Sequence, residues 1–136
     1  MASSIVRDPS AAAEELKGVR ILLVEDSWHV GDAMKTVLKL LGAEVAGPAA
    51  TSSEAELLIS EQVPDLALVD FHLRDGELAT NLIDRLYDRG ITVVVITGYA
   101  VLPESPKNVA AILQKPVNVD LLLATLLPLI AQKAVC

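Results

Sequence analysis

The amino-acid sequence predicts an α/β domain built on a doubly wound parallel sheet. Two observations carry that expectation. Short runs that are apolar at nearly every position alternate with segments whose apolar residues recur at helical spacing. The short runs show no polar face, so they need cover on both sides, and intervening helices supply it in a parallel sheet. Right-handed crossovers then wind the helices onto both faces.

Each element follows in order. Residues 1–18 form an N-terminal extension in which Asp8-Pro9 can cap and start a short helix through "SAAAEELK". "VRILLVED" (19–26) is an apolar run of strand length closed by two acids. Residues 27–41 place Val30, Met34, Val37, Leu38 and Leu41 on one helical face, and Gly42 stops that helix. "AEVAGPA" is a short second strand, and Thr51-Ser-Ser-Glu54 is a capping box that opens a helix through about Ser60. "LALVD" (66–70) is the third strand. The helix after Gly76 is expected to carry Leu78, Leu82, Ile83 and Leu86 on one face, with Asp75 as its cap. "ITVVVIT" is the fourth strand, "VAAILQK" the fifth, and a last helix starts near Asn118.

Composition bounds the function. The chain has 136 residues, 52% hydrophobic and 21% charged, which fits one globular domain rather than a disordered chain. Net charge is −7 and no stretch is strongly basic, which argues against nucleic acid as a direct ligand. One cysteine, Cys136, leaves no partner for an intrachain disulfide and no role of its own. The longest apolar stretches fall short of the roughly 20 residues that a membrane helix needs. "MASSIVRDPS" lacks a basic segment followed by an apolar one, so a soluble cytoplasmic protein is the expectation.

In a parallel sheet all strands end along one edge, where ligands bind. The first strand ends in Glu25-Asp26, the third in Asp70, the fourth in Thr97 and the fifth in Lys115. Three carboxylates at one edge repel unless cations sit among them, and a single lysine cannot balance three. Oxygen ligands of this kind suit Mg²⁺, with Mn²⁺ as a substitute. A phosphoryl group there would meet the ion, the Lys115 ammonium and the Thr97 hydroxyl together, with Asp70 as nucleophile.

The stretches "ILLVEDS", "PDLALVDFHLRDG", "VVVITGYA" and "ILQKPV" give the chain, from about residue 19 to 134, a resemblance to response-regulator receiver domains of two-component signalling. "TGYA" resembles a subgroup of single-domain receivers. The resemblance implies a flavodoxin-like sheet of order 2-1-3-4-5. It makes Asp70 the phosphoacceptor, Glu25 and Asp26 the metal-binding acids, and His72 a metal ligand through its backbone carbonyl. Thr97 becomes the switch hydroxyl, Lys115 the phosphate-sensing lysine with a cis bond to Pro116, and Gly98 the small residue that admits the phosphoryl group.

The implied function is a stand-alone switch, not an enzyme, that is phosphorylated by a histidine kinase or phosphotransfer protein and signals through protein contacts. A pseudo-receiver that is never phosphorylated is the alternative. A Mg²⁺-dependent aspartyl-phosphate phosphatase ranks below both, because "DFH" lacks the second acid such enzymes place two residues on.

The chain also departs from the family pattern. The fifth-strand position that is usually aromatic is Ile112, for which Tyr99 is a possible substitute. Pro103 and Pro106 predict that the helix between Thr97 and Lys115 is abbreviated. Trp28 and His29 are read as first-turn residues at the rim of the site. The last helix is apolar nearly all round, so either the N-terminal extension or a partner has to cover it, a homodimer being the commonest solution, and Pro128 should bend or end it.

Overall fold

A computed structural model describes residues 15–98 and 107–135, apart from the side chains at 75 and 133–135. Five strands form one parallel sheet in the order β2-β1-β3-β4-β5: β1 (Arg20–Val24), β2 (Glu44–Ala49), β3 (Leu66–Asp70), β4 (Thr92–Thr97) and β5 (Ala111–Gln114). The predicted fold class and strand order are those observed. Helices α1 (Trp28–Leu40), α2 (Ser52–Glu61), α3 (Thr80–Asp88) and α4 (Val119–Val135) lie between or after the strands.

The absence of a polar face in the strands has a direct structural cause. Every residue of β3, the central strand, is buried. Leu22, Val24, Ala67, Val69, Val93 and Val95 point to one side, where they pack with Ala55 and Ile59 of α2 and Leu82, Ile83 and Leu86 of α3. Their neighbours Ile21, Leu23, Leu66, Leu68, Val94 and Ile96 point to the other side, against Leu38 of α1 and Leu122, Leu123 and Leu126 of α4. Alternation along each strand thus feeds two cores, each buried Leu, Ile or Val contributing about 1.5–3 kcal/mol. Leu16 belongs to the second core, fully buried, and its N–H donates to the Leu41 carbonyl at 2.8 Å.

Local chemistry sets the ends of the helices. The Ser27 hydroxyl accepts from the Val30 N–H and starts α1. The Thr51 hydroxyl accepts from the Glu54 N–H and starts α2, while the Glu54 carboxylate accepts from the Ala50 N–H at 2.7 Å. Beside β1, Gly47 has φ +109, and a Cβ there would lie 2.4 Å from the Leu23 carbonyl oxygen. Only glycine fits that approach.

Three expectations are corrected. Helix α3 begins at Thr80 rather than after Gly76, and its N-cap position is held by Ala79, four residues past Asp75, with no side-chain cap. Leu78 lies before the helix, 50% exposed, in an antiparallel bridge with His72. The physical reason is a 3-10 turn at Arg74–Gly76, left through Gly76 at φ +78, which sends the chain back alongside Phe71 and His72 before a helix can start. Of the two effects expected of Pro128, a bend or an end, the end does not occur: α4 runs on to Val135. The acceptor that proline leaves without its helical donor is the carbonyl of Ala124, an exposed residue that water can serve. Most of the N-terminal extension, Tyr99, Pro103, Pro106 and Cys136 fall outside the described residues.

Candidate functional site

The C-terminal ends of β1, β3 and β4 and the residue after β5 bring the predicted polar residues to one edge. Glu25 follows β1 directly, and its N–H donates to the Ala49 carbonyl at the end of β2, at 2.8 Å. Asp70 closes β3, and Thr97 closes β4. The N–H of Lys115 donates to the Thr97 carbonyl at 2.7 Å, which extends the β4–β5 register by one residue and delivers the lysine. The Lys115–Pro116 bond is cis. Glu25 and Asp70 are each 6% exposed and Thr97 only 2%, so this edge is far drier than an ordinary surface.

Lys115 Nζ lies 2.9 Å from Glu25 Oε1 and 3.1 Å from Asp70 Oδ2. Backbone donors hold the opposite oxygens: the Ser27 N–H donates to Glu25 Oε2 and the His72 N–H to Asp70 Oδ1, both at 3.1 Å. Residue identity does not mark these two donors, because every residue except proline carries a backbone N–H. The His72 ring meets Phe71 edge-on, with centroids 5.2 Å apart.

Electrostatics follow from this crowding. Burial pushes the Glu25 carboxyl up to about 7, and hydrogen bonding with Asp70 adds to it, while Lys115 and the Ser27 N–H pull the other way. For Lys115, burial works against the charge. Hydrogen bonds to Glu25 and Asp70 outweigh it, so its pKa lies above the ordinary lysine value. The site therefore has more negative charge than one lysine neutralises.

One carboxylate oxygen each from Glu25, Asp26 and Asp70 lies within 4.8 Å of the others. Three carboxyl oxygens that close, with Asp26 half-exposed toward water, fit a hard divalent cation such as Mg²⁺. Gly98 is exposed, and a Cβ built on it meets nothing within 4 Å among the described residues. Ile112 stands on β5 at 47% exposure. Trp28, 67% exposed, stacks edge-on with His29 in the first turn of α1. Next to them an apolar groove of about 640 Å³ runs between α1 and α4 up to Lys115, lined by Val30, Ala33, Met34, Val37, Val119 and Leu122 among others.

No protein-family model and no curated protein matches the chain. Solved structures do. A CheY-like response regulator receiver domain from Methanospirillum hungatei JF-1 is 33% identical, with a TM-score of 0.69 over 85% of this chain and 92% of that one. The receiver domain of HemR from Leptospira biflexa, in its non-phosphorylated form, is 28% identical with a TM-score of 0.72, over 83% of this chain and 94% of that one. The anti-anti-sigma factor PhyR from Bartonella quintana is 25% identical with a TM-score of 0.73, over 87% of this chain. The chain spans about half the length of the PhyR proteins it matches. A shared strand order alone would show only a fold; a third of the residues identical across nearly the whole of a receiver shows more, and the chain belongs to the CheY-like response-regulator receiver family.

Proposed function

We propose that this chain is a phosphoacceptor switch whose acceptor is Asp70. The observation that carries the reading is the pairing at the end of β3. A nearly buried carboxylate keeps one oxygen on Lys115 Nζ at 3.1 Å and sits within 4.8 Å of two further acids. A carboxylate that served only as a helix cap would not need that company.

In the proposed step, an Asp70 oxygen attacks the phosphorus of a phosphohistidine on a histidine kinase or phosphotransfer protein. The bond from phosphorus to the imidazole nitrogen breaks, and the imidazole leaves with the electron pair and takes up a proton. An acyl phosphate remains on Asp70. Lys115 offsets the added negative charge and Thr97 offers a hydroxyl to a phosphoryl oxygen. Glu25, Asp26 and Asp70, with the His72 carbonyl as the family pattern implies, would hold Mg²⁺ or Mn²⁺. Such an ion supplies further positive charge at the phosphoryl oxygens. The protein's own residues thus assist its phosphorylation without turning over a substrate, which makes it a switch rather than an enzyme.

The output proposed is protein–protein contact, as shuttle, sink or regulator of a partner, in the cytoplasm. The similar PhyR proteins are named as a response regulator and as an anti-anti-sigma factor, which supports an output of that kind. No helix among the described residues is long and apolar enough to cross a membrane. A second copy is the proposed cover for Val119, Leu121 and Leu127, which α4 leaves exposed. Light scattering at micromolar concentration should then find a dimer, with or without phosphorylation; a monomer in both states removes that part.

The main test uses wild type and Asp70→Asn, each incubated with Mg²⁺ and a small phosphodonor and read by intact mass. One phosphoryl adduct on wild type, absent from Asp70→Asn, is the expected result. No adduct on wild type replaces this reading with the pseudo-receiver, an interaction module that works unphosphorylated.

A further inference from the structure

The nine residues after Asp70 do not run straight into a helix. Phe71 to Ala79 form a small closed loop. The Leu73 N–H donates to the Glu77 carbonyl at 2.7 Å, the Ala79 N–H donates to the Phe71 carbonyl at 2.9 Å, and His72 bridges Leu78. This loop carries the His72 N–H that orients Asp70. Phe71, Leu73 and Ala79 pack into the core beside Ala49 and Ala55, and the Arg74 N–H reaches the Ala50 carbonyl at 3.5 Å. A side-chain hydrogen bond adds a tie to α2: Glu77 Oε1 accepts from the Ser52 N–H, in its first turn, at 3.2 Å.

That contact closes a ring around the acids. Glu25 hangs on the Ala49 carbonyl, Ala50 is held by Glu54, Ser52 is held by Glu77, and Glu77 belongs to the loop that holds Asp70. The carboxylate also sits where the first-turn N–H groups of α2 favour a negative charge. We propose that Glu77 is a positioning residue for the divalent-cation site. By pinning the 71–79 loop to α2 it fixes Asp70 and the His72 backbone relative to Glu25 and Asp26. Groups that orient metal ligands without touching the metal commonly change its affinity 10- to 100-fold or so when removed. The inference rests on the reading of Glu25, Asp26 and Asp70 as a cation site.

Two variants cut the same contact from opposite ends. Glu77→Ala removes the acceptor. Ser52→Pro removes the donor at the first helical position, where proline is well tolerated, and Thr51 before it is already extended at φ −137, ψ 164. Glu77→Gln keeps an acceptor oxygen and should rescue. Mg²⁺ binding is read by calorimetry and by Trp28 fluorescence, and thermal stability is read separately without metal. The expected result is that Glu77→Ala and Ser52→Pro each weaken Mg²⁺ binding about 10-fold, that the double variant is no worse than either, and that Glu77→Gln stays near wild type. If wild type binds Mg²⁺ and both single variants bind it equally well, whatever their melting temperatures, the positioning role is overturned. If wild type itself binds none, the cation site falls first and this role falls with it.

Discussion

The junctions after β1 and after β3 both deliver acids to the same edge, yet they are built in opposite ways. After Val24 the chain passes through Glu25, Asp26 and Ser27 straight into α1, capped by the Ser27 hydroxyl. After Asp70 it makes a nine-residue loop with a 3-10 turn and enters α3 at a residue with no side-chain cap. The first junction holds its acid through a local backbone donor, two residues on, inside a capped helix start. The second has the same donor spacing, His72 to Asp70, but the loop that carries the donor also makes a contact 25 residues away, between Glu77 and Ser52. The first carboxylate is oriented from within its own turn; the loop that orients the second, closed by its own backbone bonds, is also tied to α2.

Lys115 is the group the two junctions share, and removing it should have the largest effect. In Lys115→Ala, Glu25 and Asp70 would face each other with no cation between them. Breaking a buried pair from one side typically costs 3–5 kcal/mol; with the lysine side chain 27% exposed, a loss of about 2–3 kcal/mol is expected here. Urea unfolding without metal should show it above neutral pH. Near pH ~6, where Glu25 can take a proton in place of the lost cation, the loss should shrink. An equal loss at both pH values would mean that the lysine acts through packing and not through charge.

How much of this difference the residues announce depends on where the structure is made. Unbroken Leu, Val, Ile and Ala through the middle of β1, β3 and β4 announce strands buried on both faces, and Glu25, Asp26, Asp70, Thr97 and Lys115 announce themselves as polar ends of apolar runs. The loop after Asp70 announces almost nothing. It is built from backbone bonds such as Ala79 N–H to the Phe71 carbonyl, so Asp75 looks like a cap and Leu78 like a core residue when neither is. Glu77 is legible only once α2 and the loop are in space, because an exposed-looking glutamate has many ordinary explanations. Pro128 does not end its helix because the carbonyl it leaves without a helical donor lies on an exposed turn, where water can serve it.

The second prediction concerns the acid of the β1 junction. Glu25 in the folded protein holds its proton up to about 7, against 4.5 in the open chain. Between those values the folded state binds more protons than the unfolded one, so this group's contribution is fully present below about 4.5 and is lost as pH rises through 7. Lys115 titrates far above that window and does not interfere. Metal-free wild type should therefore lose stability from pH ~4.5 to ~7 relative to Glu25→Gln. The variant should be the more stable by on the order of 2 kcal/mol above that range. Parallel pH profiles for the two proteins would place the cost of burial elsewhere. Mg²⁺ binding to wild type should weaken below pH ~7 for the same reason, since proton and cation compete for one carboxylate.

The smallest effect is the one that most sharply separates the junctions. Ser27→Ala deletes the hydroxyl that caps α1 and should lower stability by about 1 kcal/mol. It leaves untouched the Ser27 N–H that donates to Glu25 Oε2, because that donor is backbone. Mg²⁺ affinity in Ser27→Ala should accordingly equal that of wild type at temperatures well below melting, although the protein is less stable. Glu77→Ala should show the converse, with the larger change in affinity. If Ser27→Ala lost affinity in step with stability, the acid at β1 would depend on the cap after all. The contrast between a locally held carboxylate and one held through a distant helix would then collapse into a single statement about how well the edge is folded.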